Sequence, residues 1–116
     1  MRKWIAAFVL VCLPIFGADV SGTWTFDVQT DAGHGSPTFA FQQNGEKLTG
    51  KYIGLFGEAP LTGTVVGDKI DFTFEVSGDA GKAKVVYTGT IETALSMKGT
   101  ADYGPIGKAT WTAKKK

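Results

Sequence analysis

Leu48-Thr49-Gly50-Lys51-Tyr52 has three close counterparts in this sequence: Leu61-Thr62-Gly63-Thr64-Val65, Tyr87-Thr88-Gly89-Thr90-Ile91 and Met97-Lys98-Gly99-Thr100-Ala101. In each segment apolar side chains alternate with threonine or lysine, which is the period of a strand with one buried face. A glycine takes the central position on the apolar side each time. Glycine inside a strand weakens it, so this repetition predicts a structural need, such as sharp bending or crowding in a small closed barrel.

Turn-forming residues divide the rest of the chain into strands of similar length, without a helical stretch. The predicted strands are 22–30, 36–43, 47–54, 59–66, 69–77, 83–91, 96–103 and 107–114. Short strands at this spacing are typical of all-β sandwiches and barrels, and closing a barrel removes exposed sheet edges. We therefore predict an all-β domain over residues 19–116, built as a single eight-stranded up-and-down antiparallel β-barrel.

Two connections predict the register of the sheet. Asn44-Gly45 is typical of a two-residue type I′ hairpin turn, and Gly67-Asp68 of a type II′ turn. The expected cross-strand pairs are Phe41 with Leu48 and Phe39 with Gly50 around the first turn, and Val65 with Ile70 and Gly63 with Phe72 around the second. Both turns thus place a phenylalanine opposite a glycine on the apolar face.

Alternation puts nearly all aromatic side chains of residues 19–116 inside, with Phe56 left in a loop. The inward set is Trp24, Phe26, Phe39, Phe41, Tyr52, Phe72, Phe74, Tyr87, Tyr103 and Trp111. An eight-stranded barrel is either filled by side chains or holds one small ligand. We expect any space to lie beside a wall of small residues: Gly89, Gly99, Ala101, Ala109 and Ala113. The glycine-rich loops 31–35, 55–58, 78–81 and 104–106 gather at one end, which we predict to be the mouth.

The N-terminus predicts export. Arg2 and Lys3 precede an apolar run over 4–16, and small residues lead to Ala18, which is the pattern of a signal peptide spanning residues 1–18. The expected location is therefore secreted or periplasmic in a bacterium, with no stable membrane span after cleavage. Cys12 lies in this leader, so the β-barrel domain contains no cysteine for a disulfide or a thiolate metal site.

Charge and motifs offer little support for other function classes. Without Arg2 and Lys3 the acidic side chains outnumber the basic ones by one, which does not suggest a nucleic-acid-binding surface. His34 next to Asp31 in a glycine-rich loop raises the alternative of a general base or a metal ligand. Asp71 and Glu75 raise that of a glycosidase pair, although alternation places both outside. We expect no enzyme activity, no cofactor and no metal.

Three short motifs resemble calycin barrels, the lipocalins and avidins. Gly22-Thr23-Trp24 is similar to their Gly-x-Trp opening, and the segments 48–52 and Ala109-Thr110-Trp111-Thr112 look avidin-like. The pattern also resembles small secreted bacterial proteins of uncharacterised function. The resemblance implies an exported, avidin- or lipocalin-like barrel. It does not imply biotin binding, because Phe26, Val28 and Thr30 stand where avidins carry early polar ligand contacts.

The function expected from these features is non-catalytic binding of a small apolar or aromatic ligand at the wide end. The candidate ligand-binding residues are Trp24, Phe26, Phe39, Tyr52, Phe56, Phe74, Tyr87, Tyr103 and Trp111. The alternative is a solid-core barrel that acts as a structural or protein-interaction module through Ile53, Leu55 and Phe56, or through the outward Val66 and Val86. Homo-oligomerisation stays open at this point.

Overall fold

A computed structural model describes residues 19–31, 33–78, 81–104 and 107–116. The predicted signal peptide 1–18 lies outside these residues, as do parts of the loops at 32, 79–80 and 105–106. The strands are β1 (Gly22–Thr30), β2 (Gly33–Gly35), β3 (Thr38–Asn44), β4 (Lys47–Gly54), β5 (Gly57–Val66), β6 (Lys69–Gly78), β7 (Gly81–Thr93), β8 (Ser96–Asp102) and β9 (Lys108–Lys115). No helix long and apolar enough to cross a membrane occurs in the described part of the chain.

The strands form a closed antiparallel barrel, which confirms the predicted fold. Neighbours in sequence are neighbours in the sheet from β3 to β9, and β9 pairs with β1 to complete the ring. β2 and β3 lie along the same side of β1 in one continuous register, with Val28 opposite Gly35 and Trp24 opposite Phe39. They therefore act as one strand of an eight-strand ring, interrupted at Ser36-Pro37.

The interruption has a direct physical cause. Proline has no backbone N–H, so it cannot donate to a sheet ladder. The carbonyl of Pro37 still accepts a hydrogen bond from the N–H of Phe26 at 3.0 Å, and this bond keeps the register across the break. The sequence predicts a second strand that begins at Ser36, but pairing with β1 already starts at Gly33.

One predicted turn is correct and one is wrong. Val66 pairs with Lys69 around Gly67-Asp68, as expected, and Gly63 faces Phe72. Around the other turn Asn44 pairs with Lys47, so the turn residues are Gly45-Glu46 and not Asn44-Gly45. Gly45 adopts φ +64° and Gly67 φ +62°, so both hairpins use glycine at the first turn position, where φ must be positive.

The first register is consequently shifted by two residues from the prediction. Phe41 faces Gly50, and Phe39 faces Tyr52. Because side chains alternate with a period of two, this shift leaves every residue on its predicted face. The ten inward aromatic side chains are all buried, and Phe56 lies in a turn.

Aromatic rings fill the barrel interior. The Phe26 ring centroid lies 4.5 Å from that of Phe39 and 4.7 Å from that of Trp111, in a cluster that extends to Phe72 and Tyr87. Such distances are those of direct aromatic packing. Aromatic and aliphatic side chains together form one continuous core from Val20 to Ala113.

The inward glycines make this packing sterically feasible. A Cβ on Gly63 would lie 2.5 Å from Cα of Phe72, and one on Gly99 would lie 2.8 Å from the Trp111 indole. The Trp111 ring likewise stands 2.5 Å from the position of a Cβ on Gly89. The expected space beside the small-residue wall is therefore absent at Gly89 and Gly99, because Trp111 covers both glycines.

Candidate functional site

An apolar pocket opens at the end of the barrel that the sequence predicts to be the mouth. Its volume is about 600 Å³. It is lined by Val28, Thr30, Gly33, His34, Gly35, Ser36, Pro37, Tyr52, Gly54, Leu55, Phe56, Tyr103 and Gly107. Its walls thus come from the broken second strand, the β4–β5 turn and the β8–β9 connection.

The pocket exists because the interrupted strand formed by β2 and β3 extends beyond its neighbour β4. β4 ends at Gly54 and turns back, since Gly54 pairs with Gly57. β3 pairs with β4 only as far as Thr38 opposite Ile53, so residues 33–37 have no β4 partner, and residues 33–35 of this edge pair with β1. This uncovered edge stands above the packed core and forms one side of the mouth.

The predicted mouth loops are shorter than the sequence suggests, because residues 33–35 belong to β2 and residues 57–58 to β5. Thr30 pairs with Gly33, Gly54 with Gly57 and Gly78 with Gly81, so only two residues separate the paired strands in three of the four connections. Only the connection from 103 to 107 is longer. The opening therefore results from the Ser36-Pro37 break and the short β4, which turn patterns alone do not reveal.

The structure divides the predicted ligand-binding residues into two groups. Tyr52, Phe56 and Tyr103 line the pocket. The other six are core residues outside its lining: Trp24, Phe26, Phe39, Phe74, Tyr87 and Trp111. Two of them contact the pocket tyrosines directly, since Phe74 stacks on Tyr52 with ring centroids 4.5 Å apart and Tyr87 packs on Tyr103 at 5.9 Å.

The rim carries exposed apolar side chains on the β4–β5 turn. Leu55 is 93% exposed, and Phe56 and the neighbouring Ile53 are each 39% exposed. The N–H of Phe56 donates to the hydroxyl of Tyr52 at 3.3 Å, which ties this turn to the pocket floor. Gly54 permits this contact, because a Cβ there would stand 2.5 Å from the Tyr52 hydroxyl oxygen.

Tyr103 directly follows β8 and lines the pocket on the side opposite Tyr52 of β4, because β4 and β8 are four strands apart in the ring of eight. Its hydroxyl hydrogen-bonds the hydroxyl of Tyr87, which lies deeper in the core. Burial raises the pKa of Tyr52, Tyr87 and Tyr103, so all three phenols stay protonated beyond the usual range of tyrosine.

The predicted surroundings of His34 are wrong in two respects. His34 lies in strand β2 and not in a loop, and its Nε2 lies 2.6 Å from Oδ1 of Asp27, not beside Asp31. Both side chains are more than half exposed on the rim. Among the described residues no group of three or more His, Cys, Asp or Glu side chains is arranged to hold a metal ion.

A second concavity, of about 650 Å³, lies on the outside of the barrel wall. It is lined mainly by threonine and charged side chains of β1, β8 and β9, including Thr100, Asp102 and Lys108. These side chains belong to the solvated outer face. The mouth pocket joins an apolar lining to the aromatic core, so it is the candidate site.

Comparison with known proteins identifies the fold and no family. Neither a family model nor a curated protein matches the chain. The redesigned β-barrel b11L5F_LGL has a TM-score of 0.66 at 20% identity, covering 84% of this chain and 91% of its own. EF1p2_mFAP2b bound to DFHBI has a TM-score of 0.60 at 15% identity, covering 84% and 94%. The redesigned barrel mFAP1 bound to DFHBI has a TM-score of 0.59 at 13% identity, with the same coverage. The similarity to these designed barrels is one of fold, and a calycin-like barrel is compatible with it.

Proposed function

We propose that this protein is an exported, non-catalytic barrel that binds a small apolar or aromatic molecule in its mouth pocket. The observation that supports the proposal is the apolar opening of about 600 Å³ above a filled aromatic core. Pockets of this size and lining suit small organic ligands. Two barrels of similar fold were solved with the aromatic compound DFHBI, which is consistent with this use of the architecture.

The packed interior limits where the ligand can lie. Phe26 and Phe39 are completely buried, and their ring centroids are 4.5 Å apart. A ligand must therefore remain above this layer, between Tyr52, Phe56 and the edge at 33–37. The rim side chains Leu55 and Phe56 would cover its exposed side and lose water contact on binding, which adds apolar burial.

The proposed role is binding, without catalysis. His34 is the single histidine in the sequence, and its Nε2 is engaged by the Asp27 carboxylate. We propose no cofactor or metal for the site. Export of the domain after removal of residues 1–18 is part of the same proposal.

A second candidate function is protein interaction through the mouth rim. Its support is the packed core together with the exposed Ile53, Leu55 and Phe56, which are close in sequence and share the β4–β5 hairpin. Clusters of exposed apolar side chains often mark docking surfaces. A macromolecular partner would use the rim without needing the pocket behind it.

Filling the pocket separates the two functions. Gly35 pairs with Val28 and lines the pocket, and no atom lies within 4 Å of the position that a Cβ would take there. Gly35→Leu should therefore fill the opening without disturbing the core. The control is Gln29→Leu on the outer face of the adjacent strand. The probes are DFHBI and the apolar dye N-phenyl-1-naphthylamine, titrated by fluorescence.

We expect saturable binding of at least one probe to the natural sequence and to Gln29→Leu, and at least tenfold weaker binding to Gly35→Leu. The second candidate would be supported instead if no variant binds either probe and if Leu55→Ser loses binding to a protein partner that the natural sequence binds. Probe binding that is equal in Gly35→Leu and the natural sequence would refute the proposed site.

A further inference from the structure

The polar atoms of the core are almost all satisfied, and the exceptions lie at the pocket. Trp24 Nε1 donates to the Val20 carbonyl and Trp111 Nε1 to the Thr100 carbonyl, both at 2.9 Å. No charged or amide side chain is buried among the described residues. The tyrosine hydroxyls are therefore the polar groups left to consider.

Tyr52 has a hydroxyl proton without an acceptor among the described residues. Its oxygen accepts the Phe56 N–H, and within that part of the chain no side chain or carbonyl takes its proton. Tyr52 is only 3% exposed and lines the pocket, so an acceptor for this proton would have to come from inside the pocket.

The opposite wall holds a second such proton. In the pair Tyr87 and Tyr103, one hydroxyl donates to the other, so one of the two protons is left over. Tyr103 is 8% exposed and lines the pocket, whereas Tyr87 is completely buried below it. The spare proton is best placed on Tyr103, with Tyr87 donating to the Tyr103 oxygen, because only Tyr103 of the two borders the open volume.

Water in the pocket can accept both protons, but an apolar ligand would displace this water. A buried donor left without an acceptor loses the free energy of its hydrogen bond to water. A ligand with an oxygen acceptor at the right end restores the bond. Sites with buried donors therefore discriminate strongly against ligands that lack the matching acceptor.

We propose that the pocket selects an aromatic or apolar molecule that carries a carbonyl, carboxylate, phenolate or similar oxygen at its inner end, which accepts hydrogen bonds from Tyr52 and Tyr103. This inference rests on the proposed function and specifies its ligand class. Burial raises the pKa of both tyrosines, so they stay donors at neutral pH and cannot themselves become phenolates there.

A matched pair of dyes tests the selection. 8-Anilinonaphthalene-1-sulfonate and N-phenyl-1-naphthylamine share one apolar skeleton, and only the first carries acceptor oxygens. We expect the protein to bind the sulfonate at least tenfold more tightly. Tyr52→Phe and Tyr103→Phe keep the rings, so each should reduce this preference about three- to tenfold while leaving the affinity for the neutral dye within about twofold.

Two controls separate the ways in which the test can fail. Gly35→Leu should weaken both dyes, which shows that they occupy the mouth. Lys51→Gln, on the outer face of β4, tests whether the sulfonate is attracted by surface charge alone, and should leave the ratio of the two affinities unchanged. Circular dichroism of each variant reports whether the barrel is folded.

If both dyes bind in the mouth with equal affinity, or if the ratio is the same in Tyr52→Phe and Tyr103→Phe as in the natural sequence, the inference is wrong and the proposed function stands. If neither dye binds, or Gly35→Leu has no effect on either, the proposed function itself is wrong.

Discussion

Gly63 offers the sharpest test of the packing argument. In Gly63→Ala the new Cβ would overlap the Asp71 carbonyl oxygen and lie 2.5 Å from Cα and 2.7 Å from Cβ of Phe72, where ordinary contact begins at 3.4 Å. These are mostly backbone atoms of the paired strand β6, so rotation of one side chain cannot relieve the overlap. The β5–β6 ladder itself must move.

The expected cost follows from the size of this overlap. Overpacking a core typically costs about 1–3 kcal/mol, and a rigid backbone contact should place Gly63→Ala near or above about 3 kcal/mol. A domain of this length has about 5–15 kcal/mol of stability, and 1 kcal/mol corresponds to about 4–8 °C in Tm. We therefore expect Tm to fall by about 12–24 °C.

Gly35→Ala is the matched control, because Gly35 is also a strand glycine on the inward face, but it lines the open mouth pocket and has no atom within 4 Å of a Cβ position. Removing the freedom of glycine in the unfolded chain should leave its stability unchanged or raise it by about 0.4–1 kcal/mol. Urea melts of the two variants measure the difference. A Gly63→Ala loss below about 0.5 kcal/mol, or equal losses in both variants, would refute the argument.

A hairpin turn, the buried phenols and the leader each give a further prediction. Gly45→Val should lower the free energy of unfolding by about 1 kcal/mol or more, because Gly45 has φ +64°. Glu46→Val in the same turn should cost less. Equal melting temperatures of the two variants would show that the positive φ is not required. Burial raises the folded-state pKa of Tyr87 and Tyr103 above the unfolded value of about 10. The free energy of unfolding should therefore be constant up to about pH 10. It should fall at higher pH, because the unfolded chain releases these protons first. The double variant Tyr87→Phe/Tyr103→Phe should lose less stability between about pH 10 and 12, and an unchanged slope in denaturant melts would contradict the assignment. Intact mass of the exported protein should correspond to a chain that begins at Asp19, and a mass that retains residues 1–18 would disprove the predicted leader.

The sequence alone determined the fold and its inside surface. Alternation of apolar and polar residues is local information, because neighbouring side chains in a strand must point to opposite faces. This is why all ten inward aromatics are buried even though the turn lies at Gly45-Glu46, one residue beyond the predicted Asn44-Gly45. A register error of two residues does not change the parity of a strand, so the face assignment is unaffected.

The tertiary structure decided where the barrel is open. Turn residues suggest a mouth made of glycine-rich loops, but the opening depends on how far β3 pairs with β4 and on the uncovered edge at 33–37. Pro37 is the available local signal, since proline inside a strand indicates a break in the ladder. The relative lengths of two neighbouring strands, however, depend on pairing between distant segments.

The same distinction applies to the site. The sequence identified Tyr52, Phe56 and Tyr103 as candidates, but it could not separate the two tyrosines from six aromatic residues with the same inward parity. The two groups differ in their depth along the barrel axis, and this depth depends on the stagger of every strand around the ring. Likewise, the contact between the Tyr87 and Tyr103 hydroxyls joins residues sixteen positions apart. Alternation determines the face of a side chain, whereas only the closed sheet determines its height and its neighbours.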